Sequence, residues 1–167
     1  MAVTYEPIAT TTVSGFASTI DFTSISGTYT DLRLVFYMKM ITTNSSIFLR
    51  VNGDTGANYS SNGYSVDIAT AGVSVISSIS NTQCFVGNGR NANWQYYTVD
   101  LMSYANTSIY KPMLSSSYVD LNGSGTANKI MSRWTNTAAI TSVSIFPNTT
   151  SEIAGGSTAT LYGIKRA

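Results

Sequence analysis

The sequence predicts an all-β protein, an antiparallel β-sandwich of jelly-roll type with about ten to twelve strands. Three observations carry that prediction. Ser, Thr and Asn make up 60 of the 167 residues, whereas Lys and Glu, the usual residues of exposed helix faces, number only four and two. Ser, Thr and Asn offer the backbone local hydrogen bonds that compete with a helix, while Thr, Val, Ile and Tyr fit a pleated surface. Apolar residues alternate with polar ones over long runs, and turn residues cluster between those runs at the spacing of a sandwich.

The clearest strand is Asp31 to Ile41. Leu32, Leu34, Phe36, Met38 and Met40 make one apolar row there, and Arg33, Tyr37 and Lys39 make the other. Ser46 to Val51 repeats the pattern with Ile47, Leu49 and Val51, and Asn52-Gly53-Asp54 then ends it, because Asn and Gly tolerate positive φ. In chain order the remaining strand-like runs are Ile8 to Val13, Thr19 to Ile25, Tyr64 to Ile68, Val73 to Ile79, Gln83 to Val86 and Trp94 to Met102. Ile109 to Tyr118, Ile130 to Trp134, Thr141 to Phe146 and Thr158 to Ile164 complete the set. Turns are expected at Ser26-Gly27, Asn62-Gly63, Gly87 to Asn93, Asn122 to Asn128 and Ala154 to Ser157. Pro112 cannot donate to a ladder, so its strand either lies at an edge or begins there. No repeat, charge block or linker divides the chain, and residues 1–167 read as one sandwich domain.

Composition narrows the function. Nine basic against eight acidic residues leave a net charge of +1, which argues against a nucleic-acid partner. Without histidine no imidazole can serve as a catalytic base, and the six Asp and two Glu are scattered without a paired motif, so no enzyme activity is expected. A single cysteine, Cys84, forms neither an internal disulfide nor a multi-cysteine metal site and reads as a small buried apolar residue. The opening MAVTYEPIATTT lacks the basic and apolar regions of a secretory signal, and no run approaches a membrane-spanning length, so no membrane insertion is expected.

Three segments are candidate sites. Asn52, Asp54 and Asn58 lie in an oxygen-rich loop that reads first as a turn and second as a cation site, because only one carboxylate is present locally. Gly87-Asn88-Gly89-Arg90 resembles a phosphate-cradling loop but lacks the GKS or GKT ending and a following helix, so a polar turn is the better reading. Trp94, Tyr96 and Tyr97, with Trp134 elsewhere, read first as core and next as an aromatic subunit contact or a stacking platform for sugar rings. Alternation places Trp94 and Tyr96 on one face and Tyr97 on the other. No catalytic residue and no cofactor is assigned.

Several phrases together carry a resemblance: YEPIATTTV, GTYTDLRLVF, LRVNGDTGANYS and the closing STATLYGIKRA. The chain from Tyr5 to Lys165 resembles a family of small virion structural proteins of tailed bacteriophages, common among phages of aquatic bacteria such as cyanobacteria. The resemblance implies a β-sandwich subunit assembled in the host cytoplasm and carried on the virion, as a capsid decoration (cement) protein or as a tail-fibre or other tail appendage. Its implied partners are capsid or tail proteins and copies of itself in a closed homo-oligomer, a trimer where it caps threefold capsid positions. A host surface glycan is the partner under the alternative reading as a receptor-binding module.

Overall fold

The computed structural model describes residues 4–41, 45–89, 93–148 and 151–165, so Arg90 and the residues expected to turn at 91–92 lie outside the described residues. The strands begin with β1 (Thr4–Thr12), β2 (Phe16–Ala17), β3 (Ile20–Phe22), β4 (Asp31–Met38) and β5 (Ser45–Val51). They continue with β6 (Tyr59–Asp67), β7 (Gly72–Asn81), β8 (Cys84–Gly89), β9 (Gln95–Leu101) and β10 (Lys111–Asp120). The last are β11 (Gly125–Trp134), β12 (Val143–Pro147), β13 (Ile153–Ala154) and β14 (Thr158–Lys165). All pairings are antiparallel, and the described residues contain no helix.

An eight-stranded sheet runs β1-β14-β4-β9-β10-β11-β6-β7, and a four-stranded sheet runs β3-β12-β5-β8. The strands β1-β14-β4-β9 and β3-β12-β5-β8 form two four-stranded layers in the order of a jelly roll. Two hairpins are inserted into that plan. β6–β7 enters between β5 and β8, β10–β11 enters between β9 and β12, and both extend the same sheet. The small sheet therefore covers only part of the large one.

Alternation builds the core as the sequence predicts. Leu32, Leu34, Phe36 and Met38 of β4 face inward with Val99 and Leu101 of β9 and Leu161 of β14. Ile47, Leu49 and Val51 of β5, with Val143 and Ile145 of β12, supply the opposite wall. Toward β8 the interior becomes polar, with Ser61, Ser115, Ser117, Asn128 and Ser132 buried there. Ser61 Oγ and Ser132 Oγ lie 2.8 Å apart, and Ser61 Oγ accepts the Phe85 N–H at 3.1 Å. Cys84 is buried, its Sγ 3.8 Å from Met113 Sδ, and burial pushes its thiol pKa up to about 12.

Two expected turns are strands. Asn62-Gly63 lies inside β6, where a Cβ on Gly63 would come within 2.2 Å of the Lys129 carbonyl of β11. Gly87 to Gly89 lies inside β8, and a Cβ on Gly87 would meet Ser117 Oγ at 2.3 Å. Glycine serves close approach at both positions, and no phosphate cradle exists at Gly87 to Gly89. The hairpin after β6 turns at 68–71 instead, with Thr70 donating its N–H and hydroxyl to Asp67 Oδ1. Of the expected turn at Asn122 to Asn128, only 122–124 is turn, and Gly125 already begins β11. Pro112 is the second residue of β10, an interior strand, so it sits where a strand begins.

Candidate functional site: the open face of the large sheet

Among the described residues, no further sheet lies over the face of the eight-stranded sheet turned away from the small sheet. Cross-strand register fixes which side chains share it. Tyr37 of β4 lies opposite Tyr96 of β9, and Tyr96 lies opposite Tyr118 of β10. These three tyrosines are 47, 48 and 49% exposed and form one row across adjacent strands. At the end of the row the Trp94 ring stacks on Tyr37, with centroids 5.0 Å apart and planes 12° apart, and Lys39 Nζ lies 5.1 Å from the indole. The next row is Thr160, Val35, Thr98, Ser116 and Lys129.

A third row is Tyr162, Arg33, Asp100, Leu114 and Met131. Arg33 Nε donates to Asp100 Oδ1 at 2.5 Å and Nη2 donates to Oδ2 at 2.9 Å, a bidentate pair. Hydrogen bonding to Asp100 raises the Arg33 pKa further, and the pair sets one positive charge directly against one negative. Tyr5 and Tyr162 lie against one another at 4.8 Å beside it. What remains is a broad surface of phenol, hydroxyl and short apolar groups. It suits many neutral hydrogen bonds and ring contacts.

The aromatic residues expected from sequence divide between this face and the core. Trp94 and Tyr96 are on the open face, and Tyr97 and Trp134 are buried. Tyr97 stacks on Phe36 with centroids 4.6 Å apart, and its hydroxyl bonds the Asn88 carbonyl and Gln95 Oε1. Neither Tyr97 nor Trp134 can meet a partner without unfolding. Tyr37 and Tyr118 were not among the sequence candidates. Tyr37 falls in the polar row of its strand, which was legible, but its alignment with Tyr96 and Tyr118 depends on strand pairing.

Trp134 instead explains the Asn52-to-Asn58 loop. Asn52 and Gly53 have φ of 51° and 63°, and the Asp54 N–H donates back to the Val51 carbonyl at 3.0 Å, closing the turn. Asp54 Oδ2 accepts the Trp134 indole N–H at 2.6 Å and the Asn58 side-chain N–H at 2.9 Å, and Oδ1 accepts the Gly56 N–H at 2.8 Å. Asn52 Oδ1 accepts the Thr141 and Ser142 N–H groups. The side-chain oxygens of Asn52 and Asp54 are thus turned onto donors of the loop itself and of neighbouring segments.

The Trp134 hydrogen bond, followed by those of Asn58 and Gly56, lowers the Asp54 pKa below the usual aspartate value. A lowered folded pKa means that the carboxylate stabilises the fold fully above the unfolded value of ~3.9 and loses that contribution as pH falls through the folded value. Asp54→Asn is expected to lose about 1–3 kcal/mol at pH 7 in denaturant melts. The gap between wild type and variant should narrow as pH falls below the unfolded value; a gap that stays constant there would show that the loop does not depend on the carboxylate charge.

Comparison with protein-family models, curated proteins and solved structures finds no match to this chain.

Proposed function

We propose that this protein is a non-enzymatic structural subunit of a tailed-phage particle, a capsid decoration protein that attaches through the open face of its large sheet. The virion placement rests on the resemblance of YEPIATTTV, LRVNGDTGANYS and LYGIK to phage structural proteins. The observation that carries attachment by surface is the exposed Tyr37–Tyr96–Tyr118 row beside a self-neutralised Arg33–Asp100 pair. Aromatic anchors are favoured in protein interfaces, and exposed lysine and glutamate are not. The engaged carboxylates fit a non-catalytic role: Asp100 is held by Arg33, Asp54 by Trp134 and Asp31 Oδ1 by the Ser103 N–H.

Attachment carried by neutral contacts is not screened by salt as exposed ion pairs are, so purified particles should retain the subunit in ~1 M NaCl. They should also retain it in EDTA. The double variant Tyr96→Ala/Tyr118→Ala should keep the wild-type melt, since both rings are half-exposed, yet bind stripped particles at least about tenfold more weakly. Undiminished binding would move the contact off this face.

The same row supports a second reading, a carbohydrate-binding module. Exposed tyrosines on neighbouring strands, about 4.8 Å apart from strand to strand, give a flat platform on which sugar rings can stack. A glycan array separates the two: a decoration protein binds particles and no sugar, while a receptor-binding module retains a defined glycan and loses it in the double variant.

A further inference from the structure

We infer that β7 is a dimerisation edge, pairing antiparallel with β7 of a second copy to make one continuous sheet across two subunits. β7 is the terminal strand of the large sheet, hydrogen-bonded to β6 on one side and, among the described residues, to no strand on the other. An open edge of that kind is a template for another strand, and proteins that stay monomeric blunt it with charge, proline or bulges.

The two edges of this sheet are treated differently. β1, at the far edge, carries Pro7, the Glu6–Lys165 ion pair at 3.8 Å and a register shift between Pro7 and Ala9. β7 carries none of those within Gly72 to Ser78, where its pairing with β6 is regular, and its register shift falls beyond Ser78, near its end. No charged residue occurs from residue 68 to residue 89. Val73, Val75 and Ile79 are 65, 83 and 76% exposed. Val73 lies opposite Val66 and Val75 opposite Tyr64, so the apolar surface continues inward from the edge.

A second copy is the occupant these features select. A two-fold axis normal to the sheet pairs β7 with itself antiparallel and keeps the two open faces on one side, so that the Val73–Val75–Ser77 row meets its own equivalent. Self-pairing puts identical residues near one another, which a charged strand cannot tolerate and this neutral one can. On the other face of β7, a groove of about 370 Å³ lined by Phe48, Ile76, Ser78, Asn81, Gln83 and Phe85 can receive side chains of the inner row of the added strand. A threefold ring would need β7 to meet a different edge, and β1 is the blunted one.

Sedimentation velocity on the full chain tests this. Wild type should sediment as a dimer at micromolar concentration, and Val75→Lys and Val73→Lys should each raise the dimer dissociation constant at least tenfold. Both side chains are exposed, so the variants should keep the wild-type circular-dichroism spectrum. A monomeric or trimeric wild type, or a dimer that both lysine variants leave intact, would overturn the inference. The inference does not depend on phage attachment: a dimer that fails to bind particles would remove the proposed function and leave the β7 interface standing.

Discussion

Leu34→Asp is expected to abolish the cooperative thermal melt, whereas Arg33→Ala, one residue away, is expected to shift it by no more than a few degrees. Leu34 is wholly buried on the inner face of β4, directly between Leu161 of β14 and Val99 of β9. A carboxylate there would stand in an apolar row, between two buried aliphatic side chains. Burying an unpaired ionisable group costs several kcal/mol even after it takes up a proton, against a total stability of roughly 5–15 kcal/mol for a domain. Phe36→Asp removes the ring stacked on Tyr97 as well and should fail in the same way. Arg33 points to the open face, and losing its partly exposed pair with Asp100 removes about 1 kcal/mol or less. Equal melts for Leu34→Asp and Arg33→Ala would mean that the faces of β4 are reversed.

That contrast was legible in the sequence because one strand's alternation is a local property. The rows of residues 31–40 and 47–51 needed no partner to be read, and neither did the positive φ of Asn52 and Gly53. What crosses between strands was not legible. Asn62-Gly63 and Gly87 look like turns because glycine is required for close approach as well as for chain reversal, and only the neighbours Lys129 and Ser117 tell the two apart. The aromatic run shows the same limit. Tyr96 and Tyr97 are adjacent in sequence and alternate in face, but which of them is buried follows from where Phe36 and Asn88 sit. Tyr37 and Tyr118 join Tyr96 only through the β4–β9–β10 register, which no local pattern specifies. The inserted hairpins are likewise invisible in the strand pattern, since β6, β7, β10 and β11 read like any other strands until the sheet order sets them beyond the jelly-roll layers.

Lys111→Met should destabilise the protein by about 3–5 kcal/mol, more than the loss of any exposed charge. Lys111 begins β10 on its inner face, opposite Trp134, and is the one lysine among the described residues that is buried. Its Nζ donates to the carbonyls of Asn106 at 2.5 Å, Ile109 at 2.7 Å and Thr137 at 2.9 Å. These three acceptors belong to two loops, the one leading into β10 and the one leaving β11, so a single ammonium ties both loops to the sheet. Burial lowers its pKa from the usual lysine value. Methionine keeps the length and apolar stem of the side chain while removing its head, so the variant isolates the hydrogen bonds from the packing. Three carbonyls left without a donor account for the size of the expected loss, because an unmet buried polar group costs more than a normal hydrogen bond contributes. Urea unfolding of the variant should show a lower midpoint with an unchanged slope. A drop below about 0.5 kcal/mol would mean that water reaches the three carbonyls and that the ammonium does not hold the loops.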